Sequence, residues 1–392
     1  MRNTVARSAF PRASAWAVAC AAYLLLLTAV PAAAQSAAPD TSLPPRVTFD
    51  SRFVSDLYSS PAIERFGVEL LDLAHWPVQR LLPPADSTGA GVVQWDGPGR
   101  RNLLHGLTAL AGGAFVGTAF THAYHEFGHG SRVAAIGLRP WYTHDPSASD
   151  ASGAPIRGSG ASDNCFGYLL TSLGDRSGFT YARLDRTRFA LNTQALAAGW
   201  DGLNAMAGLN NEMEFAAALD QRTERPGGHL GFLMPYLAAK LSARSYALGD
   251  GQLNDVSNIL AFYAAQGFAI SHNDIRQGSA VAALASANTY RLAYAGLRTL
   301  TGRRSEFSPS TAGPLELPST SFFLNRKGLS YRVGTAVRRG AVRIPVAMER
   351  VFSGDTRTEW TVGVDLGRGA TSVSARVVAR TGLVLVHGVV NI

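Results

Sequence analysis

Between Arg101 and Glu126 the chain carries no Asp, Glu, Lys or Arg, and these 24 residues read NLLHGLTALAGGAFVGTAFTHAYH. As a helix at about 1.5 Å per residue, such a run is long enough to cross a hydrocarbon layer of about 30 Å. It is rich in Gly and Ala, the residues that let helices approach closely. The run is therefore expected to be a membrane-spanning helix or the central buried helix of a folded domain. Either way, the rest of the chain has to be arranged around it.

Composition points to membrane contact. Charged residues make up 16% and apolar residues 46% of 392 residues, against roughly 25% charged in an ordinary soluble protein. A mean hydropathy of +0.04 is too low for a chain that is mostly transmembrane helix. The net charge of +8 comes from scattered arginine with no basic block interleaved with aromatics. Anionic lipid is thus the expected partner of the basic surface, and nucleic acid is not expected.

Arg2, Arg7 and Arg12, followed by AWAVACAAYLLLLTAV and PAAAQS, have the basic, apolar and small-residue order of an export signal. Residues 1–34 are expected to be that signal, or a signal anchor if it is not cleaved. The expected location is a bacterial cell envelope, at the inner membrane. Loss of the signal leaves Cys165 as the one remaining thiol, so no internal disulfide is expected and Cys165 reads as a small buried residue.

Residues 35–100 read as a Pro-rich tether followed by an amphipathic segment, ERFGVELLDLAHWPVQRLL, expected to pack on the main domain. Residues 101–305 read as a helical domain, interrupted by a polar loop at 144–164. From about residue 315 to 392 the period changes to two. SYRVGTAV, RIPVAMERVF, TEWTVGVDLG, TSVSARVVA and GLVLVHGVV alternate apolar and polar residues between turn signals, as an antiparallel meander or small barrel would. The expected fold class is α+β: a helical, partly membrane-embedded domain followed by a C-terminal sheet.

The uncharged run ends in HEFGH, residues 125–129. Two histidines at i and i+4 share one face of a helix, so His125 and His129 can reach one ion. The intervening Glu126 is then placed to take a proton from water acidified by that ion. A tetrahedral catalytic zinc needs a third protein ligand. Several carboxylates are open for it: Glu214, Asp220, Asp201 and Glu212. His122, one turn before His125, reads as a supporting or structural histidine.

HEFGH followed by SRVAAIG, with Gly137 eight positions after His129, resembles the active-site helix of site-2-type intramembrane zinc proteases. In that family the third ligand is an aspartate from an N-x-x-P-x-x-x-L-D-G motif, of which this chain has no clean copy. NNEMEFAAALDQR, residues 210–222, is similar to the E-[YF]-x-A-D helix of the membrane metallopeptidases related to the CAAX-type proteases. That resemblance implies Glu214 as the third ligand. The family's aspartate four residues on is Ala218 here, which leaves Asp220 or Glu212 to orient the ligands. Together these resemblances imply a zincin-like, membrane-associated endopeptidase using Zn2+ on a protein or peptide substrate. The rival expectation is a catalytically silent scaffold of the same fold.

Overall fold

The computed structural model describes residues 60–85, 97–136, 138–144, 165–172, 179–183, 200–224, 228–249, 255–304, 311–312, 314–339, 342–354, 358–368, 371–380 and 383–391. The expected signal, the Pro-rich tether, Gly137 and nearly all of the polar loop lie outside them. Side chains are described as far as Gly354 only, and not for every residue before it.

The first described helix, α1 (Ser60–Leu81), buries Ile63, Phe66, Leu71 and Val78. Their three-, five- and seven-residue steps keep them on one stripe, which packs on the core as expected. The uncharged run forms α2 (Gly97–Ala135), 39 residues long. It is long and apolar enough to cross a membrane, yet half of its most apolar window is buried inside the protein. α2 is the axle of the fold. Around it lie α1, α3 (Cys165–Ser172), α4 (Trp200–Thr223), α5 (Leu233–Tyr246) with its preceding 3-10 turn Leu230–Phe232, and α8 (Ala287–Leu300). Two more helices, α6 (Asp255–Ala265) and α7 (His272–Leu284), complete the helical part.

Glycine makes the closest crossings possible. A Cβ on Gly128 would stand 2.4 Å from the Ala207 carbonyl oxygen of α4, closer than any real contact, so only hydrogen fits there. Further up, Phe120 packs on Phe215 of α4 with ring centroids 4.8 Å apart. Tyr124 stacks between Phe120 and Phe127, and its hydroxyl donates to Glu64 Oε1 of α1 at 2.8 Å. Cys165 is buried and its Sγ donates to the Ala123 carbonyl at 3.4 Å.

Strand β1 (Arg139–Thr143) follows α2 directly and pairs antiparallel with β2 (Phe179–Arg183). This two-stranded sheet was not evident from the sequence; its strands flank the polar loop and α3, and β2 returns the chain to α2. The larger sheet holds β3 (Thr311–Ala312), β4 (Leu315–Glu316), β5 (Ser319–Asn325), β6 (Gly328–Arg339), β7 (Val342–Gly354), β8 (Thr358–Arg368), β9 (Thr371–Arg380) and β10 (Leu383–Asn391). Its order is β10-β9-β8-β7-β6-β4-β3, with β5 also on β6 and antiparallel pairing throughout. The fold is α+β, helices first and an antiparallel sheet last. The five alternating segments of the sequence are β6 to β10.

β5 belongs to the helical core as much as to the sheet. Phe322, Phe323 and Leu324 join the same apolar cluster as Phe215 and Tyr263. Asn210 of α4 holds the strand from both sides, donating to the Leu324 carbonyl at 2.6 Å and accepting from the Leu324 N–H at 3.0 Å. Lys240 of α5, fully buried, donates to the Thr320 carbonyl at 2.6 Å and lies 3.1 Å from Asp220 Oδ2. A buried ammonium survives only with such partners.

Candidate metal centre

His125 and His129 sit near the end of α2 on the face that meets α4, and both are buried. Each imidazole is fixed by its Nδ1. That of His125 donates to Glu212 Oε1 at 2.8 Å, and that of His129 donates to the Asn204 carbonyl at 2.8 Å. A carbonyl can only accept, and a carboxylate accepts when ionised, so both Nδ1 atoms carry the proton and both Nε2 atoms present lone pairs.

Those two Nε2 atoms face one another at 3.1 Å. The third member is Asp255, the first residue of α6. Its Oδ2 lies 3.1 Å from His125 Nε2 and 3.3 Å from His129 Nε2. Three donors at about 2.0–2.1 Å from a tetrahedral zinc stand roughly 3.3 Å from one another. The three observed separations are those of one face of such a tetrahedron. Two lone pairs and a carboxylate oxygen pointed at one spot repel unless a cation sits among them, so the donor set fits a divalent ion.

Space for the ion comes from α4. A Cβ on Gly208 would fall 2.6 Å from His125 Nε2 and 2.7 Å from His129 Nε2. The absent side chain leaves open the place that the two nitrogens address. With no cation among them the imidazoles take up protons at Nε2 instead; burial alone would raise the Asp255 carboxyl, but the charge of His129 and the hydrogen bonds that both rings then donate outweigh it and hold the group below the usual carboxylate range.

Glu126 is buried beside the pair. Thr180 of β2 donates its Oγ1 proton to Glu126 Oε2 at 2.6 Å and lies 3.0 Å from the Glu126 carbonyl oxygen. Strand β2 therefore positions the expected base. Tyr246, at the end of α5, stacks on the His125 ring with centroids 5.1 Å apart, and its hydroxyl stands 3.5 Å from His125 Nε2. Tyr246 and Glu212 are also among the lining residues of a cleft of about 410 Å³ between α2 and α5, with Met234, Leu237, Ala238 and Leu241 as apolar wall. Glu212 Oε2 has no hydrogen-bond partner among the described residues.

The other sequence candidates lie elsewhere. Glu214 is not in the group; it accepts from Arg332 of β6 at 2.7 Å and ties α4 to the sheet. Asp220 is engaged by Lys240 and accepts from Ser319. Glu212 orients His125 and does not join the three donors. The side chain of Asp201 lies outside the described residues. His122 bonds the Tyr168 hydroxyl at 3.0 Å and has a structural place. Asp255, Asn204, Gly208, Thr180 and Tyr246 were not foreseen. For Asp255 the local signal was faint: an acid opening the uncharged stretch VSNILAFYAA.

Comparison with known protein families, with characterised proteins and with solved structures finds no match to this chain.

Proposed function

We propose that the chain is a zinc-dependent endopeptidase working at a membrane, with His125, His129 and Asp255 as the protein ligands. The observation that carries this reading is the triangle of donors with tetrahedral spacing, with a buried glutamate between its two histidines in sequence held by a threonine hydroxyl. An aspartate as third ligand agrees with the site-2-type resemblance of HEFGH rather than with the CAAX-type resemblance of residues 210–222, which implied a glutamate.

When bound, the ion supplies Lewis-acid polarisation of water and of the scissile carbonyl. The remaining work belongs to the side chains. Glu126 accepts the proton of the attacking water and returns it to the leaving nitrogen. The Tyr246 hydroxyl, beside His125, donates to the oxygen that becomes negative as the carbonyl turns tetrahedral. Glu212 and Asn204 keep both imidazoles turned so that Nε2 faces the ion. The apolar walls of the cleft take a hydrophobic side chain of the substrate and exclude water next to the bond being cut.

The test is Glu126→Gln in the full chain, with zinc content and cleavage of casein or a quenched fluorescent peptide measured side by side. Zinc is retained at wild-type stoichiometry and cleavage falls by about 10²–10⁴-fold, the range for removal of a general base. Cleavage at the wild-type rate would remove Glu126 from the chemistry. Zinc-loaded wild-type protein that cuts no peptide would favour the silent scaffold.

A further inference from the structure

A second group of histidines lies away from the metal triangle, where three elements meet. His75 of α1 stacks on His229, the residue before the 3-10 turn, with ring centroids 3.9 Å apart and planes 15° from parallel. His105 of α2 meets the His75 ring edge-on at 5.2 Å, and its Nδ1 donates to the Leu82 carbonyl, just past the end of α1, at 2.7 Å. Phe232 packs on His229 with centroids 3.9 Å apart. His75 Nδ1 and both ring nitrogens of His229 are closed to water and have no hydrogen-bond partner among the described residues. The nearest acid is Asp72, whose Oδ1 stands 3.4 Å from His229 Nε2.

Asp72 is already engaged. Arg222 of α4 holds both of its oxygens, at 2.9 and 3.0 Å. The next acids along α1 and α4, Glu69 and Glu224, accept from Arg65 and Arg291. The other groups whose charge acts on the three rings are Arg222 itself and, at His105, Arg304 after α8. Burial, followed by His229, His105 and Arg222, pushes His75 well below the ordinary imidazole value of about 6.5, and burial lowers His229 despite the pull of Asp72. The stack cannot spread either. Gly113 of α2 lies against the Gly231 carbonyl too closely for any side chain, and a Cβ on Gly231 would stand 2.8 Å from His229 Nδ1.

Metal binding needs lone pairs that converge on one point, as the Nε2 atoms of His125 and His129 do, whereas parallel stacked rings send theirs side by side. What the stack responds to is the proton. Two imidazolium rings at this spacing, beside a guanidinium and out of water, repel each other where neutral rings do not. We propose that His75 and His229 form an acid-sensitive clasp, which holds α1 against α2 and the turn before α5 while both rings are neutral and lets α1 go when the medium turns acidic. A histidine kept neutral by burial contributes stability that is complete above its unfolded value and is lost as the pH falls below it. The clasp is therefore shut at neutral pH and weakens below about pH 6.5. Its opening also withdraws Glu64 from the Tyr124 hydroxyl, one residue before His125. None of the clasp residues belongs to the metal triangle, so the proposal stands or falls apart from the enzymatic reading.

Hydrogen–deuterium exchange of the full chain, read by peptide mass at labelling times scaled for the intrinsic rate at each pH, follows the opening of each helix. From about pH 6.5 down to about pH 5 the opening of α1 should rise by more than about tenfold per pH unit, as uptake of two protons requires, while α7 keeps its protection. His75→Phe keeps a ring in the stack and should lower that slope by up to about tenfold per unit, one proton fewer. His75→Gln should do the same where phenylalanine is not accommodated. Opening of α1 that only follows that of α7 overturns the clasp, as does a slope that both His75 variants leave unchanged. An acid response confined to α6, which carries Asp255, assigns it to the metal triangle and overturns the clasp as well. Zinc bound at two per chain and falling to one in His75→Gln would make the cluster a metal site instead.

Discussion

Asp255 Oδ2 stands 3.3 Å from His129 Nε2, although 126 positions of chain separate the two residues. That contact, and not the acid-rich helix at 210–222, completes the donor triangle. Asp255→Ala should therefore lower zinc affinity by more than the 10–100-fold that loss of an outer hydrogen-bond partner costs. Glu214→Ala should leave zinc affinity unchanged. Its ion pair with Arg332 is about one-third exposed on both sides, so its loss should cost no more than about 1 kcal/mol of stability. Competitive titration with a chromophoric chelator reads the first effect and urea unfolding the second; equal zinc loss in both variants would reinstate Glu214.

Gly208 is the position at which α4 gives way to the ion. Gly208→Ala puts a methyl 2.6–2.7 Å from both Nε2 atoms, while alanine itself favours a helix by about 1 kcal/mol over glycine. The variant should keep its helical circular dichroism and lose stoichiometric zinc. A Gly208→Ala protein that binds zinc with wild-type affinity would mean that the ion does not occupy the space facing α4.

How much of this was legible in the sequence depended on range. α2, the i and i+4 histidines and strands β6 to β10 follow from periodicities within a few residues, and all of them fold as their patterns direct. β5 was illegible because STSFFLN is buried on both faces and so has no alternation to read. Asp255 was illegible for a different reason. A metal ligand supplied from another helix is defined by tertiary packing, and its own neighbours announce only a helix start. Glu214 has the better local resemblance, yet Arg332 lies opposite it and takes its carboxylate.

The carboxyl of Asp255 is held below its ordinary value of about 3.9 by the imidazoles that face it. A depressed carboxyl contributes stability that is fully present above the unfolded value and is lost as the pH falls through the folded one. Metal-free wild type should thus exceed Asp255→Asn in stability from about pH 5 up to the pH at which the imidazoles, which this carboxylate helps to raise, lose their protons, and the difference should shrink on acidification below about pH 4. Urea midpoints measured across that window decide it. A gap that widens toward low pH would show that Asp255 is not stabilised as the anion.

Tyr246 offers the sharpest separation of binding from chemistry. Its ring lies flat against His125 and its hydroxyl is 3.5 Å from His125 Nε2, so Tyr246→Phe keeps the stacking and the wall of the cleft while deleting one donor. If the hydroxyl meets the oxyanion only as it forms, kcat should fall by about 10²–10³-fold, the loss seen when one such donor is removed, with KM little changed. Zinc affinity should stay at the wild-type value, because the phenol is not among the three donors. A rise in KM at constant kcat would instead assign the hydroxyl to ground-state substrate binding, and a drop in zinc occupancy would make Tyr246 a support for His125 alone.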